Sequence, residues 1–485
     1  MKNRSGYISL IILLFLVIIG YHFRLKGIQN NHSFWSDEAF VSSISRNILL
    51  GKLSIVDGFQ ILSYQFLQVL ITSTSFIFFG FTEFAARLPS ILFGTIGIVF
   101  AYLLGTKLSN INGGLLSAFL FAFSQLNLAN STQAKPYTAI QTLLLVVLYL
   151  IFLLKENKKN HLLLHILIII SATASTLFNY IGILTWIPYI VYIFFLYRKN
   201  IITNIYKPYI LIAAILIILG GIFLLQIPKM IIALFNNPIY NHTTYLRELL
   251  WRNYAFITLP AFIGLFTIFK KYRIMFIGIS LYIFSLLFLW NFRGYSHNVR
   301  YLVPLFGLLF VLFGIFWGEI GDKVFNKKSG FICLIVAILI FMGGYKIVRK
   351  PASYYTPNAD LYGDVQIADY KNTYEKIEKE FPDLNNIAVF NDVIDSQIWY
   401  MNKQSNAYFM KGVIKPTRHP VDNTIIYGSL KEFLNEKNKY PKGILIVEDW
   451  ESFLPEDIKQ YAKKNMKREF RIEGLPQAQG DNWPI

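Results

Sequence analysis

Apolar runs as long as a lipid bilayer is thick recur between residues 7 and 348 of this 485-residue chain. Crossing the hydrocarbon takes ~20 apolar residues as a helix. Backbone groups in lipid must bond to one another, so such runs fold as helices rather than open strands. The runs at 7–23, 88–108, 113–130, 137–154, 162–178, 181–197, 209–227, 256–269, 274–290, 301–317 and 331–348 give about eleven spans. The chain therefore reads as a polytopic α-helical membrane protein.

Past residue 349 charged residues become frequent, and a soluble domain is expected there. The expected organisation is a membrane domain at 1–348 with a large first outer loop at 24–87, then an α/β domain at 349–485. In that domain 387–390, 424–427 and 444–447 read as short buried strands. The stretches 396–402, 430–435 and 455–464 read as helices between or after them, giving a small layered α/β unit. It carries no Gly-rich phosphate loop and no metal-ligand spacing, so it reads as a structural or recognition module.

The formal net charge is +18, but the lysines and arginines lie mainly between apolar runs. There they set topology and meet anionic lipid, and no basic stripe stands apart to bind nucleic acid. The single cysteine, Cys333, lies inside an apolar run, so neither an intramolecular disulfide nor a cysteine metal site is available. His165 is the main ionisable residue inside a span and reads as a helix-contact residue.

The stretch 59–79 is long enough to span, yet Gln60, Tyr64, Gln65, Gln68, Thr72 and Ser75 recur along it at helical spacing. That suits a helix in the interface or packed on the bundle. If it does not span, the basic loops around Lys155, Arg198, Lys270 and Lys323 all fall on the side of Lys2 and Arg4. Positive residues favour the cytoplasm, so the N-terminus is expected inside and the C-terminal domain outside a multi-pass plasma-membrane protein. The outer loops then carry Asp37 and Glu38, Lys135, Arg247 and Arg252, and finally Arg293, His297 and Arg300.

Asp37 and Glu38 have two readings. Ser36 is a good N-cap, and acids in a first turn favour the helix dipole, so they suit the start of an interfacial helix. At a lipid–water boundary outside the cytoplasm they also suit group transfer from a lipid-linked donor. An ordinary Asp titrates at ~3.9 and is a base near neutral pH. It would take a proton from an acceptor hydroxyl while cations hold a phosphate leaving group.

Four segments, in order over about three hundred residues, carry a resemblance. They are Trp35-Ser36-Asp37-Glu38-Ala39, Phe84-Ala85-Ala86-Arg87-Leu88-Pro89-Ser90, Gln133-Ala134-Lys135-Pro136-Tyr137 and Arg300-Tyr301-Leu302-Val303-Pro304. Together they resemble the lipid-dependent glycosyltransferases of the GT-C class, nearest the protein O-mannosyltransferase and aminoarabinose transferase superfamily (glycosyltransferase family 39). The resemblance implies inverting transfer from a polyprenyl-phosphate sugar to a glycan, lipid or protein acceptor on the outer face. It implies Asp37 as base, with Glu38 its partner, and Lys135, Arg300 and Arg87 as donor-phosphate contacts. His297, Tyr137, Gln133 and Tyr64 are candidate substrate contacts.

Two departures stand out. Gln133 occupies a position where many relatives have an acid, and Phe59-Gln60-Ile61-Leu62-Ser63-Tyr64 replaces a His- or Lys-bearing, proline-containing loop. A metal site is therefore not supported, and no cofactor beyond the lipid-linked donor is implied. Two other classes compete: a transporter or flippase, and a non-catalytic scaffold with an outer binding domain.

Overall fold

The computed structural model describes residues 2–28, 33–156, 161–198, 239, 241–293, 299–325, 328–343, 346–353, 355, 369–392, 394–401, 403–447 and 453–472. The expected span at 209–227, most of the first half of the loop 228–255, and His297 lie outside them. In chain order the α-helices of seven or more residues are α1 (Lys2–Lys26), α2 (Ser36–Leu49), α3 (Ile55–Ile61), α4 (Phe66–Phe79), α5 (Glu83–Leu108), α6 (Ile111–Phe123) and α7 (Gln125–Ser131). There follow α8 (Tyr137–Glu156), α9 (His161–Phe178), α10 (Ile187–Arg198), α11 (Ala255–Phe269), α12 (Arg273–Arg293), α13 (Val303–Lys323) and α14 (Ser329–Gly343). The last four are α15 (Tyr370–Glu380), α16 (Ile394–Tyr400), α17 (Leu430–Lys437) and α18 (Glu456–Asn465).

The chain packs as two compact units: Met1–Gln29, Leu62–Gln68 and Arg87–Leu361 form the first, and Asn30–Ile61, Val69–Ala86 and Tyr362–Ile485 the second. Composition draws its boundary near residue 348. Packing instead groups much of the first loop with the C-terminal residues.

Among the described residues six helices are long and apolar enough to cross a membrane, or up to eight if each of two bent pairs is one span. One bent pair is Ile55–Ile61 with Ser63–Phe79, which meet at 98°. The apolar stretch 59–79 is thus no single straight helix. The expected span at 113–130 is also broken. Ser124 leaves helical geometry at ψ 129°, ending α6 and starting α7. Residues 346–348 fill the gap in strand fashion: Gln125 N donates to Lys346 O at 3.0 Å, and Val348 N to Phe123 O at 2.9 Å. The backbone groups that the break frees are bonded again, which a lipid-immersed kink requires.

Close backbone contact builds the centre of the first unit. A Cβ on Gly314 of α13 would meet Gly113 O at 2.3 Å, and one on Gly113 of α6 would meet Gly314 O at 2.6 Å. Ser117 Oγ completes the seam, donating to Gly113 O and lying 3.3 Å from Val311 O. Small residues that let helices touch are a main source of association where lipid is as apolar as leucine. Arg24 is fully buried at the end of α1. Its guanidinium donates to Gly20 O at 2.9 Å and to two last-turn carbonyls of α6, Ala122 O and Phe121 O, both at 3.1 Å. It caps α6 with a charge where the helix dipole is negative. His165 makes the expected helix contact, its Nδ1 lying 2.8 Å from the Tyr189 hydroxyl.

Pro89, expected at a span start, sits inside α5, because that helix begins at Glu83. Proline has no N–H for the carbonyl four residues back. That carbonyl, Ala85 O, accepts instead from Ser75 Oγ of α4 at 2.5 Å.

The second unit contains a five-stranded sheet of β1 (Ala388–Asn391), β2 (Ala407–Phe409), β3 (Thr417–Arg418), β4 (Ile425–Tyr427) and β5 (Gly443–Ile446). The order is β3-β4-β2-β1-β5, with β3 antiparallel to β4 and the other pairings parallel. Strand residues alternate between two apolar layers. Val389 and Ile446 join Tyr370, Tyr374 and Ile377 of α15, while Ala388, Phe390 and Phe409 join Phe433 of α17 and Ile458 of α18.

Helix α2 is built into this unit and is not a free interfacial helix. Phe34, just before it, packs its ring at a tilt against Trp399 of α16, with centroids 5.1 Å apart. Arg46 lies 4.8 Å over the Trp399 ring and donates to Trp399 O and Ile398 O at 3.2 and 2.5 Å, capping α16. On its other side, Ser45 Oγ reaches Val69 O of α4 at 3.1 Å.

Candidate functional site

The second unit holds the two acids on α2, and the structure gives them different surroundings. The helix begins at Ser36 with Trp35 as its N-cap, one residue earlier than the expected Ser36 cap. The reason is Glu38. It is fully buried, and its Oε2 accepts from Trp35 N at 3.2 Å, closing the helix start from within. Asp37, one position earlier, is exposed.

With the capping role taken by Glu38, the Ser36 hydroxyl turns elsewhere. It donates to Asp395 Oδ2 of α16 at 2.6 Å. Asp395 faces His419 Nε2 at 3.9 Å, and His419 Nδ1 lies 2.9 Å from Asp422 Oδ1. Asp422 Oδ2 also accepts from the Tyr408 hydroxyl at 2.7 Å and from Thr424 Oγ1 at 2.9 Å. Burial pushes the Asp395 carboxyl up to about 6; Ser36 and His419 oppose the rise, while the charges of Asp37 and Asp422 add to it. Burial works against ionised Asp422 as well, but its hydrogen bonds from His419, Tyr408 and Thr424 prevail and hold it below the usual carboxylate range. None of this was expected from the sequence, in which the C-terminal domain carried no chemistry. The only signal is a short His419-Pro420-Val421-Asp422 stretch, too common to read alone.

The first unit holds the candidate cations. Lys135 is 9% exposed, and its carbonyl accepts from Ser90 Oγ of α5 at 3.2 Å. This fixes the 133–136 loop against the helix that carries Arg87, itself fully buried. Gln133 is buried, with its side-chain nitrogen unpartnered among the described residues. The Arg300 guanidinium lies 5.2 Å over the Tyr301 ring and 6.0 Å over the Tyr137 ring, and those rings meet edge to face at 5.5 Å. Tyr180, before α10, is within electrostatic reach of Tyr301, Arg300 and Tyr64. Tyr137 and Tyr301 thus flank the Arg300 guanidinium. A cation set on aromatic faces keeps its charge while its stem is dry, a setting suited to an anion. Among the described residues no three metal-ligating side chains converge.

Residues 66–223 match the family model for dolichyl-phosphate-mannose-protein mannosyltransferase. No curated protein matches the chain. Among solved structures, ArnT from Cupriavidus metallidurans in the apo state superposes with a TM-score of 0.63 at 12% identity, covering 95% of each chain. The same protein bound to undecaprenyl phosphate gives 0.61 at 10% identity, covering 99% of this chain and 98% of that one. The archaeal oligosaccharyltransferase AglB from Archaeoglobus fulgidus, in complex with an inhibitory peptide and a dolichol-phosphate, gives 0.53 at 12% identity, covering 82% of this chain and 63% of that one. By its fold, this multi-pass membrane chain is similar to ArnT and to the archaeal oligosaccharyltransferase AglB, and over residues 66–223 it is similar to the dolichyl-phosphate-mannose-protein mannosyltransferase family.

Proposed function

We propose that the chain transfers a sugar from a polyprenyl-phosphate-linked donor to an acceptor on the outer face of the membrane. The observation that carries this reading is the division of labour at the start of α2. Glu38 is occupied in closing the helix, and Asp37 beside it is an exposed carboxylate. The fold is one also found in a protein crystallised with undecaprenyl phosphate.

In this reading the acceptor oxygen attacks the anomeric carbon from the face opposite the phosphate. The carbon–oxygen bond to phosphate breaks, inverting the centre, and polyprenyl phosphate leaves. Asp37 accepts the acceptor's proton as its oxygen becomes bonded to carbon. Lys135, Arg300 and Arg87 are the candidates for holding the donor phosphate and stabilising the charge it gains on leaving. Lys135 acts as a point charge, without the bidentate fork of an arginine. Tyr137, Tyr64, Gln133 and His297 remain candidate substrate contacts. Glu38 is a positioning group for the helix that carries Asp37.

The reading is tested by supplying membranes with a polyprenyl-phosphate sugar labelled in the sugar. Wild type should yield labelled acceptor and unlabelled polyprenyl phosphate in equal amounts, and Asp37→Asn about 10²-fold less. A labelled donor that crosses the membrane intact would point to a transporter. A reporter fused after Lys350 should lie outside the cytoplasm.

A further inference from the structure

Asp395, His419 and Asp422 lie on the C-terminal part of the second unit, and nothing in the transfer reading uses them. They are nonetheless tied to α2. Ser36, whose hydroxyl bonds Asp395 at 2.6 Å, is the residue immediately before Asp37. His419 is buried between the two acids, with one ring nitrogen on Asp422 and the other facing Asp395. The Phe40 ring of α2 also lies 6.3 Å from the His419 ring.

We propose that Asp395 is a positioning residue for the transfer, contributed by the C-terminal α/β part of the chain, that fixes the start of α2 through Ser36 and raises the basicity of Asp37. The proposal rests on Asp37 being the base.

The coupling between the two acids is reciprocal. The charge of Asp37 raises the affinity of Asp395 for a proton. By linkage an ionised Asp395 raises that of Asp37 by the same amount. A carboxylate made more basic takes a proton more readily from an acceptor hydroxyl. Asp395 is kept able to ionise near neutral pH by the groups around it. Ser36 donates to it from α2. His419 faces it and is anchored by Asp422, which is held in turn by Tyr408 of β2 and Thr424. On α16 itself, Arg46 sits at the far end, on the carbonyls of Ile398 and Trp399. Tyr400 there donates to Glu83 and accepts from Phe34 N. Those groups hold the helix and do not face Asp395.

The test is the pH dependence of sugar transfer from a labelled polyprenyl-phosphate sugar by full-length wild type, Asp37→Asn, Asp395→Asn and Asp395→Glu. The expected result for Asp395→Asn is a three- to tenfold loss of kcat, with the donor KM unchanged and the acidic limb of kcat moved to lower pH. Asp395→Glu should restore both in part. An Asp395→Asn protein whose acidic limb coincides with that of wild type would overturn the proposal, even if less stable, because a merely structural residue would not move the limb. If Asp37→Asn transfers as fast as wild type, the reading of Asp37 as base fails, and this proposal with it. If Asp37→Asn is inactive and the Asp395→Asn limb is unmoved, only this proposal fails.

Discussion

Both units withdraw charged groups from water, fully or in part, and they satisfy them in opposite ways. In the first unit, Arg24 is capped onto backbone carbonyls at the end of α6. Carbonyls do not titrate, so this arrangement does not change between mild acid and neutrality. In the second unit, Asp395 is bonded to a serine and faces a histidine that is itself held by another acid. Asp395 in that chain gains or loses its proton near pH 6. The comparison teaches which part of the molecule is a frame and which part responds to its surroundings. Helix contacts through glycine backbones belong to the frame. The polar chain reaching α2 belongs to the responsive part.

The contrast can be pressed hardest at the glycine seam. Gly314→Leu places a side chain where only 2.3 Å separates an ideal Cβ from Gly113 O. Neither backbone can yield cheaply, so a loss above about 4 kcal/mol is expected, seen as failure to recover monodisperse protein in detergent. Arg24→Met comes next. It removes three hydrogen bonds from a charged donor and should cost about 3 kcal/mol. Its loss in melting temperature should be equal at pH 5 and pH 8. A pH-dependent loss would mean that Arg24 is coupled to a titrating group and would erase the distinction between the units.

The smallest effect should come from Asp395→Asn, and it should have the opposite sign. The folded carboxyl titrates at about 6 against 3.8 for the ordinary group, so the folded state holds its proton more tightly than the unfolded one between those values. Stability from this group is fully present below pH 4, falls as pH rises towards 6 and is flat above. Replacing the acid by asparagine should therefore raise stability above pH 6 by about 2 kcal/mol and leave it nearly unchanged at pH 4. Differential scanning fluorimetry across that range reads the difference directly. A melting temperature that drops at pH 7.5 in the variant would show that Asp395 contributes structure rather than cost.

Much of the frame was legible because its signals are local. Apolar runs of membrane length mark helices wherever they lie, and short apolar stretches such as 387–390 and 444–447 appear in the structure as Ala388–Asn391 and Gly443–Ile446. Strand β2, only Ala407–Phe409, is too short to stand out, and α15 has few apolar positions to betray it. The break at Ser124 was invisible since its cause, the 346–348 segment, is over two hundred residues away. The site divides in the same manner. Asp37 and Glu38 were legible as a pair at a helix start, but their unequal roles follow from which carboxylate turns back to Trp35 N. Asp395 meets Ser36 across 359 residues of sequence, and no local pattern announces such a pairing. Composition likewise separated the chain near residue 348, while packing joins residues 30–61 to the C-terminal sheet.

The central claim is that the exposed acid of α2 takes the acceptor's proton. Its most direct test is single-turnover sugar transfer from a labelled polyprenyl-phosphate donor, measured together with donor binding, for wild type and Asp37→Asn. The account predicts an unchanged donor Kd and a transfer rate lower by about 10²-fold in the variant. Equal single-turnover rates in the two proteins would contradict it.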